Sequence, residues 1–211
     1  MTYQKPERQY FETDPKARQE WLENTLPKVR ETVRKYRAIL YFQDEANVSL
    51  TAFLGKTWAP CGQTPKGQVT GKRGGVAALS AMSKQGHLLF ALHQKRIASD
   101  EIIHFLAQML YHHRKRHLVV LMDNAPPHTS QKTLSFIDSQ PRLHVFNFPS
   151  YSPDWNPDEK VWNHLKHQEL KSHKAKDELT QLANKKLNVM ANNPHLVRGL
   201  FYRCCIADLF E

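Results

Sequence analysis

The strongest strand signal in the chain is the continuous apolar run from Leu118 to Met122, which is followed directly by Asp123. Strands that are apolar at every position are buried on both faces, as in parallel sheets that carry helices on each side. Apolar residues make up 40% of the 211 positions, which is enough for a core around such a strand. The run therefore predicts an α/β fold in one compact domain, or in one domain with a short appendage.

The other segments supply the rest of this fold. Short runs rich in strand formers, such as 38–42, predict strands, and apolar residues at helical spacing predict helices. The predicted strands are 38–42, 48–53, 75–82, 87–92, 117–122 and 143–148, and the predicted helices are 14–36 with a break at Pro27, 99–112, 129–139, 156–170, 177–192 and 194–210. This order predicts a mixed sheet of about five strands flanked by helices. We expect residues 1–37 to form an N-terminal helical arm and residues 38–211 to form the main domain.

The chain is strongly basic. Its 30 Lys and Arg exceed its 20 Asp and Glu, which gives a formal net charge of +10. This surplus favours a polyanionic partner, with nucleic acid ahead of an acidic membrane surface. No apolar run approaches the ~20 residues of a membrane span, and the N-terminus lacks an apolar signal core. Three cysteines, two of them adjacent, make a poor disulfide framework, so we expect a reducing compartment, the cytoplasm.

Three carboxylates are candidates for a shared site. Asp44 and Asp123 follow apolar runs, and Glu159 lies in the first turn of a predicted helix. Ligands of α/β sheets bind beyond the carboxyl ends of the strands. Three carboxylates that meet there can hold two divalent cations ~3.5–4 Å apart, which is an arrangement for phosphoryl transfer, and their hard oxygens suit Mg²⁺ or Mn²⁺.

Each carboxylate also has an ordinary interpretation. Asp123-Asn124 is typical of a turn after a strand. Glu159 has the spacing of a capping box with Asn156, and Asp44 is equally compatible with a simple strand end. Composition and periodicity alone leave these alternatives open.

Two longer motifs favour the shared site. Asp123-Asn124-Ala125-Pro126-Pro127-His128-Thr129-Ser130 and Phe148-Pro149-Ser150-Tyr151-Ser152-Pro153-Asp154-Trp155-Asn156-Pro157-Asp158-Glu159-Lys160-Val161-Trp162 resemble the second and third catalytic blocks of the mariner-like DDE transposases, closest to their bacterial insertion-sequence branch. Tyr41-Phe42-Gln43-Asp44-Glu45 resembles the first block, and Trp58-Ala59-Pro60-Cys61-Gly62-Gln63-Thr64-Pro65 resembles the loop that follows it. The resemblance covers roughly residues 38–170.

The resemblance implies an RNase H-like (retroviral-integrase-like) fold in which Asp44, Asp123 and Glu159 are the catalytic, metal-binding residues. Members of this family use two Mg²⁺ or Mn²⁺ ions to hydrolyse DNA at transposon ends, and the freed 3′-hydroxyl then attacks target DNA. By position, Asp44 would hold both ions, while Asp123 and Glu159 would hold one each. Double-stranded DNA is the implied partner, and a homodimer at the nucleoid of a bacterial cell is the implied setting.

The N-terminal part departs from the family pattern. About 37 residues precede the first predicted strand, too few for the paired helix-turn-helix domains of complete mariner-like transposases. We expect a separate helix-turn-helix subunit to read the transposon ends, unless the chain is a trimmed or a decayed copy of a longer transposase. Two alternatives stay open: an RNase H-like nuclease that cuts without joining strands, and a non-catalytic DNA-binding remnant of a transposable element.

Polar neighbours of the three carboxylates have predicted places too. Side-chain alternation along a strand and rotation along a helix predict that Glu45 and Asp158 point away from the site. Asp154 is the predicted substitute ligand if Glu159 fails. His128 is expected to shape the helix start beside the second block.

Several other residues have competing interpretations. Asn124 either contacts the site or closes the turn, and Trp155 is expected to anchor its loop rather than stack on a base. Cys204 and Cys205 are expected to be small core residues. The spacing of His112, His113 and His117 fits no strong zinc pattern. Two basic stretches are candidate DNA-backbone contacts, with solvated surface as the alternative: Lys56, Lys66, Lys72 and Arg73, and then Lys160, Lys166, Lys171, Lys174 and Lys176.

Overall fold

The computed structural model describes residues 11–50, 58–66, 70–71, 73–170 and 175–210. The centre is one five-stranded sheet with the order β3-β2-β1-β4-β5. The strands are β1 (Ile39–Ser49), β2 (Gly75–Ser83), β3 (Leu88–His93), β4 (Leu118–Met122) and β5 (Leu143–Asn147). β1, β2 and β3 are antiparallel neighbours, whereas β1, β4 and β5 run parallel. The predicted mixed sheet is therefore confirmed.

Helices precede the sheet, connect β3 to β4 and β4 to β5, and follow β5. They are α1 (Pro15–Glu20), α2 (Leu26–Tyr36), α3 (Ser99–His112), α4 (Pro126–Thr129), α5 (Gln131–Asp138), α6 (Asp158–His164), α7 (Lys176–Ala191) and α8 (Pro194–Phe201). Single π-helical segments occupy Trp21–Thr25 and Leu165–Glu169, and short 3₁₀ turns occupy Pro153–Trp155 and Ala207–Phe210. Within the described ranges, no helix combines the length and the apolar character needed to cross a membrane.

Strand β4 is buried at all five positions, as its continuous apolar run predicts. Val119 and Leu121 belong to one hydrophobic cluster, and Leu118, Val120 and Met122 belong to another. The strand thus feeds two cores, one on each face of the sheet. This packing fixes the position of the residues that follow its carboxyl end.

The N-terminal helices pack on the same core as the sheet. Trp21, Leu26 and Val29 are buried in the cluster that contains Phe42 of β1. The break between the two helices is the π-helical segment, and Pro27 lies in the first turn of α2, where its missing N–H has no cost. The boundary at residue 37 stays a prediction, although β1 begins directly after it.

Four predicted elements differ from the structure. The strands predicted at 38–42 and 48–53 are parts of one strand, because β1 continues through Asp44 to Ser49. Residues 51–53 lie outside the described residues. The helix predicted at 129–139 is divided into α4 and α5 at Ser130, which caps α5 through the Thr133 amide. The helix predicted at 194–210 ends at Phe201 and is followed by turns.

Candidate active site

The first two carboxylates lie where parallel pairing in the sheet stops. β1 pairs with β4 from Ile39–Leu118 to Phe42–Leu121, and Asp44 and Asp123 follow just beyond the last pair. Asp44 is not at the end of its strand, because β1 goes on pairing with β2, where Asp44 faces Ser80. The prediction that Asp44 ends its strand is therefore wrong for β1 as a whole. It holds only for the side of β1 that pairs with β4.

One cavity of about 400 Å³ opens at this edge. The three predicted carboxylates all line it. The complete lining is Asp44, Asp123, Asn124, Ala125, Phe148, Pro149, Ser150, Tyr151, Ser152, Pro153, Asn156 and Glu159. The structure therefore brings the candidates from three separate motifs to one place.

Asn156 connects the loop before Glu159 to the strand that carries Asp44. Its buried Nδ2 donates to the carbonyl oxygen of Gln43 at 3.0 Å, and its Oδ1 accepts from the Asp158 amide at 3.1 Å. The start of α6 is thus anchored to β1. Asn156 thereby caps the first turn of the helix, as the capping-box alternative expects, although its own amide donates to the Pro153 carbonyl oxygen at 3.1 Å.

Two asparagines fix the chain on the other side of the cavity. Asn124 donates from Nδ2 to the Phe148 carbonyl oxygen at 2.8 Å, and Asn147 donates to the Asp123 carbonyl oxygen at 2.7 Å. Asn124 also lines the cavity, so it both closes the turn and contacts the site. These bonds hold the ends of β4 and β5 together.

Asp44 has an unusual electrostatic environment. Burial raises the pKa of Asp44 well above its ordinary value, and the negative charges of Glu159, Asp158 and Asp123 raise it further. Its Oδ2 is buried and has no hydrogen-bond partner. Burial also raises the pKa of Glu159, against the influence of Lys166 and Lys160. Concentrated acidic oxygens of this kind repel one another until a cation or a proton neutralises them.

Asp123 and Glu45 share one histidine. His128 places Nδ1 2.7 Å from Asp123 Oδ1 and Nε2 2.8 Å from Glu45 Oε1. Burial disfavours the charged imidazole, but the hydrogen bonds and charges of the two carboxylates outweigh it and raise the pKa of His128 to about 9. Burial likewise opposes ionisation of Asp123, yet the contacts with His128 and the Ala125 amide lower the pKa of Asp123.

Glu45 and Asp158 stay outside the cavity lining, but neither is remote from the site. Glu45 reaches the site through His128. Asp158 is fully buried and accepts a hydrogen bond from the Ser80 hydroxyl. Burial raises the pKa of Asp158 well above its ordinary value, and the charge of Glu159 adds to this effect.

The expectation for Asp154 is not supported by its contacts. Its carboxylate is held by Arg18 of α1, with Nη2 2.5 Å from Oδ1 and Nη1 3.0 Å from Oδ2. Arg18 also donates from Nε to Ser152 Oγ and lies 4.9 Å from the centre of the Trp155 ring. Trp155 packs against Trp21 at 5.5 Å between ring centres, so it anchors the loop as predicted.

Residues predicted to lie elsewhere have mixed outcomes. Cys204 is buried, but Cys205 is exposed, so the core assignment is wrong for Cys205. His113 faces the Tyr41 hydroxyl at 2.7 Å and packs edge-on against the His112 ring. Of the two basic stretches, Lys66, Arg73, Lys160, Lys166 and Lys176 are described, whereas Lys56, Lys72, Lys171 and Lys174 lie outside the described residues.

The chemistry of the donor set suits a hard cation. In the described part of the chain, no group of three or more His, Cys, Asp or Glu side chains is arranged to hold a metal ion as it stands. The fit rests on the chemistry of the cavity: carboxylate oxygens from three elements, like charges next to one another, and the unpartnered Asp44 Oδ2. Oxygen ligands of this type are those of Mg²⁺ and Mn²⁺.

Sequence reasoning missed four contacts around the cavity. They are the Glu45–His128 pair, the Asn156–Gln43 hydrogen bond, the Ser80–Asp158 hydrogen bond and the Arg18–Asp154 pair. Each joins residues that are at least 78 positions apart, so no local spacing signals it. The only sequence signal for the contacts of His128 and Asn156 is that each residue belongs to one of the two longer motifs.

Comparison with known proteins agrees with this geometry. The family model described as DDE superfamily endonuclease matches residues 39–180. No curated protein matches the chain significantly. Among solved structures, the Mos1 transposase paired-end complex with left transposon end is similar at 16% identity and a TM-score of 0.67, over 98% of this chain and 67% of that chain.

Two further structures are similar to the chain. The catalytic domain of Mos1 mariner transposase matches at 15% identity and a TM-score of 0.59, over 94% of this chain and 96% of that chain. The Mos1 mariner paired end complex with Mn matches at 15% identity and a TM-score of 0.64, over 99% of this chain and 67% of that chain. These likenesses confirm the predicted RNase H-like fold.

Proposed function

The chain belongs to the DDE superfamily endonucleases, and from that premise we propose that it is the catalytic part of a mariner-like DNA transposase. It cuts DNA at transposon ends and joins the freed 3′-hydroxyl to target DNA. Asp44, Asp123 and Glu159 hold two Mg²⁺ or Mn²⁺ ions for both reactions. The observation that carries the proposal is the single cavity lined by these three carboxylates at the end of the parallel strands.

The residues of the chain have distinct parts in this proposal. Asp44, Asp123 and Glu159 would together hold the ions through their carboxylate oxygens. When bound, a pair of such ions activates a water or hydroxyl group and stabilises the leaving oxygen of a phosphodiester. Burial and, after it, the neighbouring negative charges raise the pKa of Asp44, and a cation bound there would stabilise the ionised carboxylate against both.

The cavity walls support a nucleic-acid substrate. Lys160 and Lys166 lie close enough to act on the ionisation of Glu159, so positive charge borders the acidic centre. Tyr151 is exposed at the cavity lining, where an aromatic ring is available to a base. The net charge of +10 adds the long-range attraction that DNA-binding proteins use.

Double-stranded DNA is the proposed partner. The assembly we propose contains two copies of this chain and a separate helix-turn-helix subunit that reads the transposon ends, at the nucleoid of a bacterial cell. Light scattering of the purified chain with and without duplex DNA tests the dimer. Co-expression with neighbouring helix-turn-helix reading frames tests the second subunit.

Cleavage and joining assays test the function. The substrates are duplexes from the genomic sequence flanking the gene, both intact and pre-cut with a free 3′-hydroxyl, together with a supercoiled target plasmid. We expect Mg²⁺- or Mn²⁺-dependent cleavage and joining by the wild-type chain. Asp123→Asn removes the charge but keeps the shape, so it should abolish both reactions and leave DNA binding intact. Asp100→Asn, on an exposed aspartate paired with Lys132, is the control.

The outcomes separate the candidate functions. Cleavage without joining of the pre-cut end would identify a nuclease rather than a transposase. Equal cleavage by wild type and Asp123→Asn, or cleavage in excess chelator, would overturn the metal-dependent mechanism. DNA binding without any cleavage under all of these conditions would identify a non-catalytic remnant.

A further inference from the structure

His128 is enclosed between two carboxylates on different elements. Its side chain is only 2% exposed, and both ring nitrogens face carboxylate oxygens, Asp123 Oδ1 at 2.7 Å and Glu45 Oε1 at 2.8 Å. The Nδ1 contact is a hydrogen bond, whereas the Nε2 contact is a close ion pair without hydrogen-bond alignment. Both contacts oppose rotation of the ring, because any rotation lengthens one of them. Glu45 thereby controls the orientation of a ring that touches Asp123.

The contacts of Asp123 are divided unequally between its oxygens. Oδ1 accepts from the Ala125 amide at 2.9 Å and faces His128 Nδ1, while the backbone carbonyl oxygen accepts from Asn147 at 2.7 Å. Within the described part of the chain, Oδ2 makes no hydrogen bond. The carboxylate is therefore held by one oxygen, and its other oxygen is left for a ligand.

We propose that His128 is a positioning residue, itself held by Glu45, that fixes Asp123 so that Oδ1 is engaged by the protein and Oδ2 is presented to a divalent cation. The proposal rests on the proposed function, because it assumes that Asp123 binds a metal ion. It adds two residues, Glu45 and His128, that act through Asp123 without touching substrate. Partners that orient a metal ligand typically contribute 10–100-fold to metal affinity.

The geometry of side-chain amides provides a matched pair of variants. The amide nitrogen of Asn lies near the position of the imidazole Nδ1, and that of Gln lies near the position of Nε2. His128→Asn therefore keeps a donor for Asp123 and loses the contact with Glu45, whereas His128→Gln keeps a donor for Glu45 and loses the contact with Asp123. Glu45→Gln leaves His128 in place and removes only the charge behind it.

Binding of Mn²⁺ to the full chain without DNA, followed by electron paramagnetic resonance, gives a readout that does not depend on catalysis. We expect His128→Gln to weaken Mn²⁺ binding about 10-fold or more. His128→Asn should restore most of this affinity, and Glu45→Gln should weaken binding only a few-fold. His104→Gln, which removes an exposed imidazole from α3, is the control and should bind as the wild type does.

Thermal unfolding of each variant separates loss of fold from loss of orientation. If the His128 variants do not fold, Glu45→Gln decides alone, since Glu45 is 28% exposed and is joined to the site through His128. Wild-type affinity in both His128→Gln and Glu45→Gln would overturn the positioning role. Asp123→Asn tests the premise. If this variant binds Mn²⁺ as the wild type does, the proposed metal site is wrong. If it loses Mn²⁺ binding while the His128 and Glu45 variants keep wild-type affinity, only the role of His128 is rejected.

Discussion

The guanidinium group of Arg18 donates two hydrogen bonds to the carboxylate of Asp154, which lies 136 positions away in the sequence. Arg18 also donates to Ser152 Oγ at 3.0 Å. A residue of the N-terminal helix α1 thus holds the loop that forms one wall of the cavity. The guanidinium group of Arg18 is therefore engaged within the protein.

Arg18→Lys is expected to loosen that wall. Lysine keeps the charge but lacks the planar fork that reaches Asp154 with two donors and Ser152 with a third. Because the Asp154 side chain is half-exposed, the free energy of unfolding should fall by only about 1 kcal/mol or less. Hydrogen–deuterium exchange of residues 149–157 should rise clearly. Arg34→Lys on the exposed face of α2 is the control, and equal exchange in the two variants would show that Arg18 does not order the loop.

Asn156 links Asp44 and Glu159 indirectly, through the Gln43 carbonyl oxygen and the Asp158 amide. Asn156→Ala leaves both buried backbone groups without these partners, and an unsatisfied buried group costs about 1–3 kcal/mol. We expect a loss of that size in the free energy of unfolding, measured by chemical denaturation, and a larger proportional loss of cleavage. Asn188→Ala, on an exposed helical asparagine, should change neither; stability unaltered in Asn156→Ala would contradict the anchoring role.

Asp123 and Glu159 line the same cavity, as expected from two motifs that each combine an apolar run with a polar turn, and their role as metal ligands stays a prediction. Asp44 was assigned to a strand end because the apolar character of β1 stops at Phe42. The strand continues because β2 pairs with it as far as Ser49, and pairing with a distant strand leaves no mark on local hydrophobicity.

The contacts around the carboxylates join residues that are distant in the sequence and close in the fold. Strand alternation correctly predicts that Glu45 and Asp44 face opposite ways, but it carries no information that His128 lies within reach of Glu45. Cys205 differs from Cys204 for a related reason: the predicted helix ends at Phe201, so helical spacing no longer determines which side chain is buried. Both errors concern residues whose surroundings are set by other parts of the chain.

The contribution of His113 to the free energy of unfolding should fall as the pH is lowered from about 6.5 to about 4. Burial lowers the pKa of His113 to about 4, and the neighbouring His112, His87 and Arg116 contribute to this shift. Above the ordinary histidine value of about 6.5, the ring is neutral in both the folded and the unfolded chain, so it contributes nothing. Between about 6.5 and 4 the unfolded chain takes up a proton that the folded chain refuses, which favours unfolding.

His113→Gln removes this proton uptake while offering the Tyr41 hydroxyl another polar partner. Denaturant unfolding of wild type and variant at pH 7, 6 and 5 should therefore show a difference that changes with pH. We expect the wild type to lose more stability than the variant on going from pH 7 to pH 5. His104→Gln on the same helix is the control, and parallel losses in wild type and His113→Gln would reject the assignment.

Lys160 and Lys166 are expected to contact the DNA backbone beside the acidic cavity. Both act on the ionisation of Glu159, which places their charges near the point where a phosphodiester must enter. Each phosphate contact releases counterions, so the logarithm of duplex affinity falls by about 0.9 per contact against the logarithm of salt concentration. Alanine at both positions should reduce this slope by up to about 1.8 and weaken binding to all duplexes alike.

The alternative is that these lysines are only solvent-exposed charges on α6 and on the π-helical segment after it. Titrations at several salt concentrations, with transposon-flank and random duplexes, distinguish the two. Lys185→Ala, on an exposed lysine of α7, is the control and should leave the slope unchanged. A slope equal to that of the wild type in the double variant would remove this surface from the DNA path, and a loss confined to one duplex sequence would show base recognition instead of backbone contact.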